Sequence, residues 1–493
     1  MMRELFKDLA KYLPSIIIPA LVGIIAIPII TRLFPPEIYG KYILVIVTVS
    51  FLSTITVTWL SSSTIRFYPV YELNNELNKF YSLLIKLTIS SVGAISILFL
   101  IILFLLKNQV SKTFLFLMRI GVLLFIVSSF WSVLLNVLRA RRKVGWYSAL
   151  SIWSSVAGLG IGLAMVLILH IGIEGLLWGA IISTVIAIPL LWKISFGMFS
   201  LKEGNVRSQM SWEIVKYGIP AMGINVLSWA QSLSDRYILE FFRGSQEVGI
   251  YSASYAISEK SIFFITSLFL LASNPIGFNI WEEQGVKASQ DFVGKLTRYY
   301  LLVGLPAAVG LSVLAGPIID ILVAPRYYPG YKIVPAIVFG AFLVGIAHRF
   351  TISLGYCKRT DLSVLCYLGS VILNILLNFI YIPKYGYMAA AGTTFISYAF
   401  LLLSAIFVSR RFFVWEFPFK TLGKCSAASL IMGAGVYFLV KNLYFSTFVN
   451  LILGILAGIV IYSICIFLFK EILPEEKKVL KQLVQRYVFK KSN

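Results

Sequence analysis

Fourteen stretches of this chain are apolar over the length a helix needs to cross a bilayer, about 20 residues each. They lie near 14–33, 42–62, 82–106, 115–138, 148–169, 173–193, 214–240, 249–275, 299–323, 333–355, 364–382, 386–408, 423–440 and 448–469. Hydrocarbon offers the backbone no water, so such stretches must close their own hydrogen bonds as helices or as a sealed barrel. The alternation and turn signals of barrel strands are missing. An all-α membrane protein with fourteen transmembrane helices is therefore expected. The two longest connections, 194–213 and 276–298, are polar, and no soluble domain fits between the spans. Charged residues are 13% of the chain and hydrophobic ones 59%, against about 25% and 45–50% in soluble domains.

The net charge of +22 would suggest nucleic-acid binding in a soluble protein. In a membrane protein it first reports topology. Numbering the sides from the N-terminus, 29 of the 43 Lys and Arg fall on the side of the two termini and 8 on the other. The positive-inside rule then places both termini in the cytoplasm of a multi-pass cell-membrane protein, and no nucleic-acid partner is expected. Arg139, Arg141, Arg142 and Lys143, with Arg410 and Arg411, are read as topology signals. Both ends read as interfacial helices. Leu5, Phe6, Leu9 and Leu13 share one face at the start, and Val479, Leu480, Leu483, Val484, Tyr487 and Val488 share one at the end. The N-terminus runs straight into an apolar stretch with no small-residue cleavage site, so no cleavable signal peptide is expected.

An internal repeat organises the spans. Lys11-Tyr12, Pro14 and Arg32 in the first span correspond to Lys216-Tyr217, Pro220 and Arg236 in the seventh. Gly40-Lys41-Tyr42 corresponds to Gly249-Ile250-Tyr251, and Gly172 and Ser183 to Gly386 and Ser397. Six spans per repeat keep both halves in one orientation, which predicts a pseudo-two-fold axis along the membrane normal. Two pseudo-symmetric six-helix lobes, 1–200 and 201–410, are expected. Residues 411–493 would add a helix hairpin and an amphipathic tail.

Six basic residues stay within or at the ends of spans: Arg32, Lys86, Arg119, Arg236, Lys260 and Arg349. A charge at the centre of a span costs at least about 2.5–3.5 kcal/mol, so it should face a cavity or a partner. Lys86 and Arg119 sit near helix ends, where long side chains snorkel. Arg236 and Glu240 are four apart on one helix face and can pair. Arg32, Arg236, Lys260 and Arg349 are the candidate lining of a lumen, and a cationic lumen suits a phosphate-bearing substrate. Glu259 and Asp320 are candidates for coupling to H+ or Na+, or else simply neutralise nearby cations. Trp59, Trp131, Trp153, Trp178 and Trp229 offer stacking surfaces for sugars, with packing as the competing role.

Enzyme chemistry finds no support. Cys357, Cys366, Cys425 and Cys465 form no C-x-x-C pair, and with only His170 and His348 no metal site is expected. The Walker pattern is absent, and no loop carries a D-x-D carboxylate pair.

The segment Ile30-Thr31-Arg32-Leu33-Phe34-Pro35-Pro36-Glu37-Ile38-Tyr39-Gly40-Lys41-Tyr42 resembles a stretch of the Wzx-like polysaccharide flippases. So does Asp235-Arg236-Tyr237-Ile238-Leu239 with Val248-Gly249-Ile250-Tyr251-Ser252. These flippases are the polysaccharide transporters of the MATE-related exporter superfamily. The resemblance implies that the chain moves a polyprenyl-phosphate-linked oligosaccharide across the membrane by alternating access and serves cell-surface glycan assembly, with assembly proteins as partners. It marks Asp235, Tyr237, Gly249, Tyr251, Gly40 and Tyr42 as motif residues. A lipid II flippase, whose two extra helices form a lipid groove, and a cation-coupled multidrug exporter are the rival readings.

Overall fold

The computed structural model describes residues 2–197, 208–443, 445–471 and 476. The side chains of Leu5, Phe6 and Leu9, and the whole apolar face 479–488, lie outside the described residues. The described chain is helical from end to end. Its helices are α1 (Met2–Leu33), α2 (Pro36–Leu73), α3 (Leu77–Leu105), α4 (Lys112–Ala140), α5 (Val144–Leu167), α6 (Glu174–Phe196) and α7 (Ser208–Leu233). There follow α8 (Asp235–Arg243), α9 (Ser245–Val313), α10 (Ala315–Leu322), a 3-10 segment (Pro325–Ile333), α11 (Val334–Tyr356), α12 (Thr360–Ser409), α13 (Phe419–Asn442) and α14 (Thr447–Leu468).

Two glycines break the longest helices. Gly285 in α9 has φ 79°, and Gly386 in α12 has φ 57°. Only glycine enters this left-handed region without strain. Divided there, the described chain has fourteen helices of membrane length, with α8 and α10 as short additions. Eleven are long and apolar enough to cross a membrane when α12 is taken undivided. The polar connection 276–298 is not a loop: apart from Gly285 it is helical, with Gly277 and Gly294 inside the helix, because its charged residues are good helix formers.

Local signals set the helix starts. Pro36 begins α2 after an extended Pro35, as suits a residue with fixed φ and no N–H to lose. Ser111 caps α4 by accepting a hydrogen bond from Phe114 N at 3.3 Å.

The helices pack as two compact units. The first comprises Met1–Ala256, Val323–Pro329 and Val364–Ser397, and the second Ile257–Leu322, Gly330–Ser363 and Tyr398–Asn493. The first has a core around Leu60, Phe80, Val137, Leu138 and Leu191. In the second, Leu314, Met432 and Val436 seat the α13–α14 hairpin against the end of α9 and α10.

The repeat is visible inside the first unit. A Cβ on Gly40 would fall onto the carbonyl oxygen of Ser245, and one on Gly249 onto the carbonyl oxygen of Pro36. The repeat offset of 209 relates Gly40 to Gly249 and Pro36 to Ser245. Residue i meets j while their counterparts meet in return, as a two-fold arrangement requires. Downstream, Trp153 Nε1 donates to Ser183 O at 3.0 Å, and Ser370 Oγ donates to the repeat-related Ser397 O at 2.6 Å.

In the second unit a polar cluster secures the hairpin. Glu471, just after α14, accepts from Thr421 Oγ1 at 2.5 Å and pairs with Lys424 at 3.0 Å and Arg298 at 3.2 Å. Burial alone would push its carboxyl up. The hydrogen bonds from Thr421, Lys424 and Arg298 outweigh that and hold it below its ordinary value of 4.5.

Two outcomes are expected. Gly40→Ala or Gly249→Ala should lower stability towards the upper end of roughly 1–3 kcal/mol, the range for overpacking. Gly93→Ala and Gly160→Ala, where a Cβ meets nothing within 4 Å, should be neutral or stabilising; thermal unfolding in detergent separates the two pairs. Because the folded pKa of Glu471 is depressed, its contribution is present above pH 4.5 and is lost as pH falls further through the folded value. The midpoint of thermal unfolding should fall on acidification, and Glu471→Gln should flatten that fall.

Candidate functional site

The two repeat-related arginines bend back onto their own helices. Arg32 is exposed at the end of α1, and its Nη1 donates to Pro28 O, four residues earlier, at 3.0 Å. Arg236, 3% exposed, does the same to Ser232 O. Ser232 lies in the last turn of α7, where a helix leaves its carbonyls open; Pro28 lies inside the end of α1. The surroundings differ. Arg236 pairs with its neighbour Asp235 at 2.7 Å, not with Glu240, and its guanidinium lies over the rings of Tyr255 at 4.2 Å and Tyr251 at 5.1 Å. Asp235, 1% exposed, also receives the hydroxyl of Tyr251. Glu240 instead accepts from Ser245 Oγ at 2.8 Å.

The other motif residues have structural tasks. Gly40 and Gly249 make the reciprocal contact. Tyr42 stacks on Tyr39 with ring centres 6.2 Å apart. The hydroxyls of Tyr237 and Thr48 lie 2.6 Å apart and join α8 to α2.

Arg349 on α11 is different. It is 1% exposed, and none of its three guanidinium nitrogens has a hydrogen-bond partner among the described residues. It lies 5.4 Å from the centre of the Tyr300 ring and 5.9 Å from that of Phe269. Gly345, one turn earlier, leaves the space that the Tyr300 hydroxyl fills. Tyr300 is fixed by Thr266 at 3.1 Å and stacks on Phe342 at 5.4 Å and 10°. The Nε2 of the adjacent His348 is also without a partner among the described residues. A buried cation held only by ring faces has all its in-plane donors available to an anion.

Lys260 and Glu259 are half-buried neighbours on α9, and Asp320 is exposed on α10. Lys86 and Arg119 are exposed, as snorkelling side chains would be. In the basic cluster after α4, Arg141 Nη1 donates to Ile194 O at 2.9 Å and Ser195 O at 2.6 Å, capping α6. Of the tryptophans read as sugar platforms, Trp131 is buried, Trp153 bonds Ser183, and Trp229 packs on Phe51 at 4.6 Å.

Sequence reading passed over two features. One is the aromatic shell of Arg349, for which Gly345 was the available signal. The other is a buried polar cluster in α12: Asn378 Nδ2 donates to Asn374 Oδ1 at 3.0 Å, and Thr393 Oγ1 donates to Asn378 Oδ1. Among the described residues no group of three or more His, Cys, Asp and Glu is placed to hold a metal.

Residues 5–280 match the family described as "Polysaccharide biosynthesis protein". That is more than half of the chain, and the chain belongs to this family. It is 26% identical over 357 residues to the "Probable low-salt glycan biosynthesis flippase Agl15" of Haloferax volcanii, covering 71% of this chain and 73% of that protein. Its fold is similar to that of "Lipid II flippase MurJ, inward closed conformation", with TM-score 0.74 and 18% identity over 94% of this chain and 99% of the other. It is also similar to an inward-facing multidrug resistance MATE family transporter of the MOP superfamily, with TM-score 0.67 and 12% identity over 81% of this chain and 97% of that one. The expected fold class and a polysaccharide-biosynthesis family are thus borne out.

Two buried arginines should respond oppositely to the same change. Arg236→Met leaves Asp235 buried without its cation and should cost about 3–5 kcal/mol. Arg349→Met removes an uncompensated buried charge, so the unfolding midpoint should hold or rise. Equal destabilisation of both variants would make Arg349 a structural residue.

Proposed function

We propose that this member of the polysaccharide biosynthesis protein family flips a polyprenyl-phosphate-linked oligosaccharide from the cytoplasmic to the outer leaflet. Two six-helix lobes, 1–200 and 201–410, alternate access to a lumen whose cations include Arg349 and Lys260. The observation that carries this reading is the Arg349 guanidinium, buried yet without a hydrogen-bond partner among the described residues. A planar fork of free donors suits phosphate oxygens, and a low-dielectric surround strengthens the attraction. Tyr300 and Phe269 beside it offer apolar faces on which a sugar ring can rest. Arg32 and Arg236 contribute positive field while their hydrogen bonds hold helix ends.

The isoprenoid tail is assigned to the second unit. An apolar groove of about 400 Å³ runs between the end of α9, α10, α13 and α14, lined by Leu302, Pro306, Leu311, Met432 and Ile455. Gly454 and Gly458 on α14 face this groove. The family membership and the flippase named among its relatives support a membrane carrier over an enzyme. Polysaccharide-assembly proteins of the cell membrane are the proposed partners. Coupling is assigned to H+ or Na+ through Glu259 or Asp320.

A lipid II flippase is the second reading. The similarity to the MurJ structure covers 94% of this chain, enough to include α13 and α14. That to the MATE transporter stops at 81%.

The test is flipping in proteoliposomes loaded with a labelled polyprenyl-diphosphate oligosaccharide, read by accessibility of the glycan to an external glycosidase. Wild-type protein should expose it, and Arg349→Met should reduce the rate by about tenfold or more, the scale of a lost charge-assisted hydrogen bond. Lipid II run in parallel decides between the readings. Equal rates for protein-free and loaded vesicles with both substrates would overturn both. Rates unchanged in Glu259→Gln and Asp320→Asn across a pH and sodium series would remove the coupling assignment.

A further inference from the structure

Two basic turns stand at corresponding places in the repeat. The turn between α4 and α5 is Arg141-Arg142-Lys143, and that between α11 and α12 is Cys357-Lys358-Arg359, 216 residues further on. Each is three residues long with a left-handed residue in the middle, Arg142 at φ 53° and Lys358 at φ 57°. In the first unit the turn serves a helix end. Arg141 Nη1 donates to Ile194 O at 2.9 Å and Lys143 Nζ to the same oxygen at 3.3 Å. Two cations thus answer the open carbonyls of α6.

In the second unit the end of α12 closes itself. Arg410 N donates to Ile406 O at 3.2 Å, Arg411 N to Val408 O at 3.3 Å and Phe412 N to Ser409 O at 3.0 Å. Cys357 stands where the first turn has Arg141, and its Sγ donates to Phe412 O at 3.7 Å. The Arg359 guanidinium lies 4.8 Å from the centre of the Phe412 ring. These two contacts bring 357–359 against 410–412 and gather Lys358, Arg359, Arg410 and Arg411 at one corner. Among the described residues the corner's one ion pair joins Arg359 to Asp361 at 3.1 Å. Glu282 and Glu283 follow Trp281, which stacks on Tyr356 at 5.7 Å, and among the described residues neither pairs with these four cations. Lys358, Arg410 and Arg411 are left exposed without a carboxylate.

The rings beside them face outward. Phe407 is 65% exposed and Phe412 42%, and the Arg411 guanidinium lies 4.7 Å from the centre of the Phe407 ring. A guanidinium stacked on a ring keeps its in-plane donors for an anion. Exposed rings beside cations at the end of a spanning helix belong at the membrane interface, within reach of lipid phosphates.

We propose that this corner of the second unit binds an anionic phospholipid whose headgroup carries two phosphates. Arg410, Arg411 and Lys358 hold the phosphates, since two planar forks and a point charge match two anionic groups better than one. The acyl chains run along Phe407 and Phe412. The site uses none of the residues assigned to the translocated substrate, so it stands or falls apart from the flippase reading.

The test is native mass spectrometry of the full chain in detergent micelles, titrated with cardiolipin, phosphatidylglycerol or phosphatidylcholine. Cardiolipin should fill one site first, with phosphatidylglycerol weaker and phosphatidylcholine weakest, and inorganic phosphate should not displace it. Arg410→Gln combined with Arg411→Gln should weaken cardiolipin by about tenfold or more. Arg410→Lys combined with Arg411→Lys keeps the charge and should weaken it less. Arg142→Gln, at the corresponding turn of the first unit, should leave the affinity unchanged. All of these positions are exposed, and size-exclusion profiles should match that of the wild type. Phosphatidylglycerol or phosphatidylcholine binding as tightly as cardiolipin, displacement by millimolar inorganic phosphate, wild-type affinity in the double Gln variant, or an equal loss in Arg142→Gln would each overturn the proposal.

Discussion

A bilayer gives the backbone no second chance, and the polar side chains of this protein are arranged around that fact. At several helix ends and breaks, a side chain meets the groups left open. At the Gly386 break, Glu247 Oε2 accepts from Tyr387 N at 2.9 Å, which opens the second half of α12 with a carboxylate at its positive end. Arg141 closes the carbonyl end of α6. Arg326 Nη2 donates to Arg32 O at 3.1 Å and Thr31 O at 3.3 Å, and Tyr327 donates to Phe34 O at 2.8 Å. A cation in such a chain is thus first a terminator of helices, and its field is a consequence.

Groups left over after that task are therefore informative. Burying a polar group without a partner costs free energy that folding does not recover elsewhere. Among the described residues Arg349 is a charged group of this kind. Arg349 is wrapped in aromatic rings and has no paired carboxylate.

The spans were legible because a twenty-residue apolar run has few alternatives. The repeat was legible because glycine and arginine recur at nearly fixed offsets. The helical character of 276–298 on both sides of Gly285 was not, since polarity marks exposure to water and helices tolerate that well. The partner of Arg236 was misjudged for a related reason. Spacing along an ideal helix favours Glu240, but α8 starts at Asp235, so the carboxylate at the helix start is free to turn to its neighbour while Glu240 serves Ser245. Which cation stays unpaired depends on contacts between distant helices, such as Tyr300 against Gly345, and no one-dimensional pattern encodes those.

The two repeats agree where backbones touch and differ where charge is buried. Gly40 and Gly249 make the same contact in return, Arg32 and Arg236 each donate to the carbonyl four residues earlier, and the Ser183 and Ser397 carbonyls both accept from a side chain. Yet Asp235 stands where the first repeat has Thr31, which instead accepts from Ala324 N at 3.3 Å. Tyr251, which bonds Asp235, corresponds to Tyr42, which only stacks on Tyr39. Close packing tolerates no drift, so steric matches persist in both copies. A buried ion pair needs its whole shell of partners at once, and only the second copy has Asp235, Tyr251 and Tyr255 together.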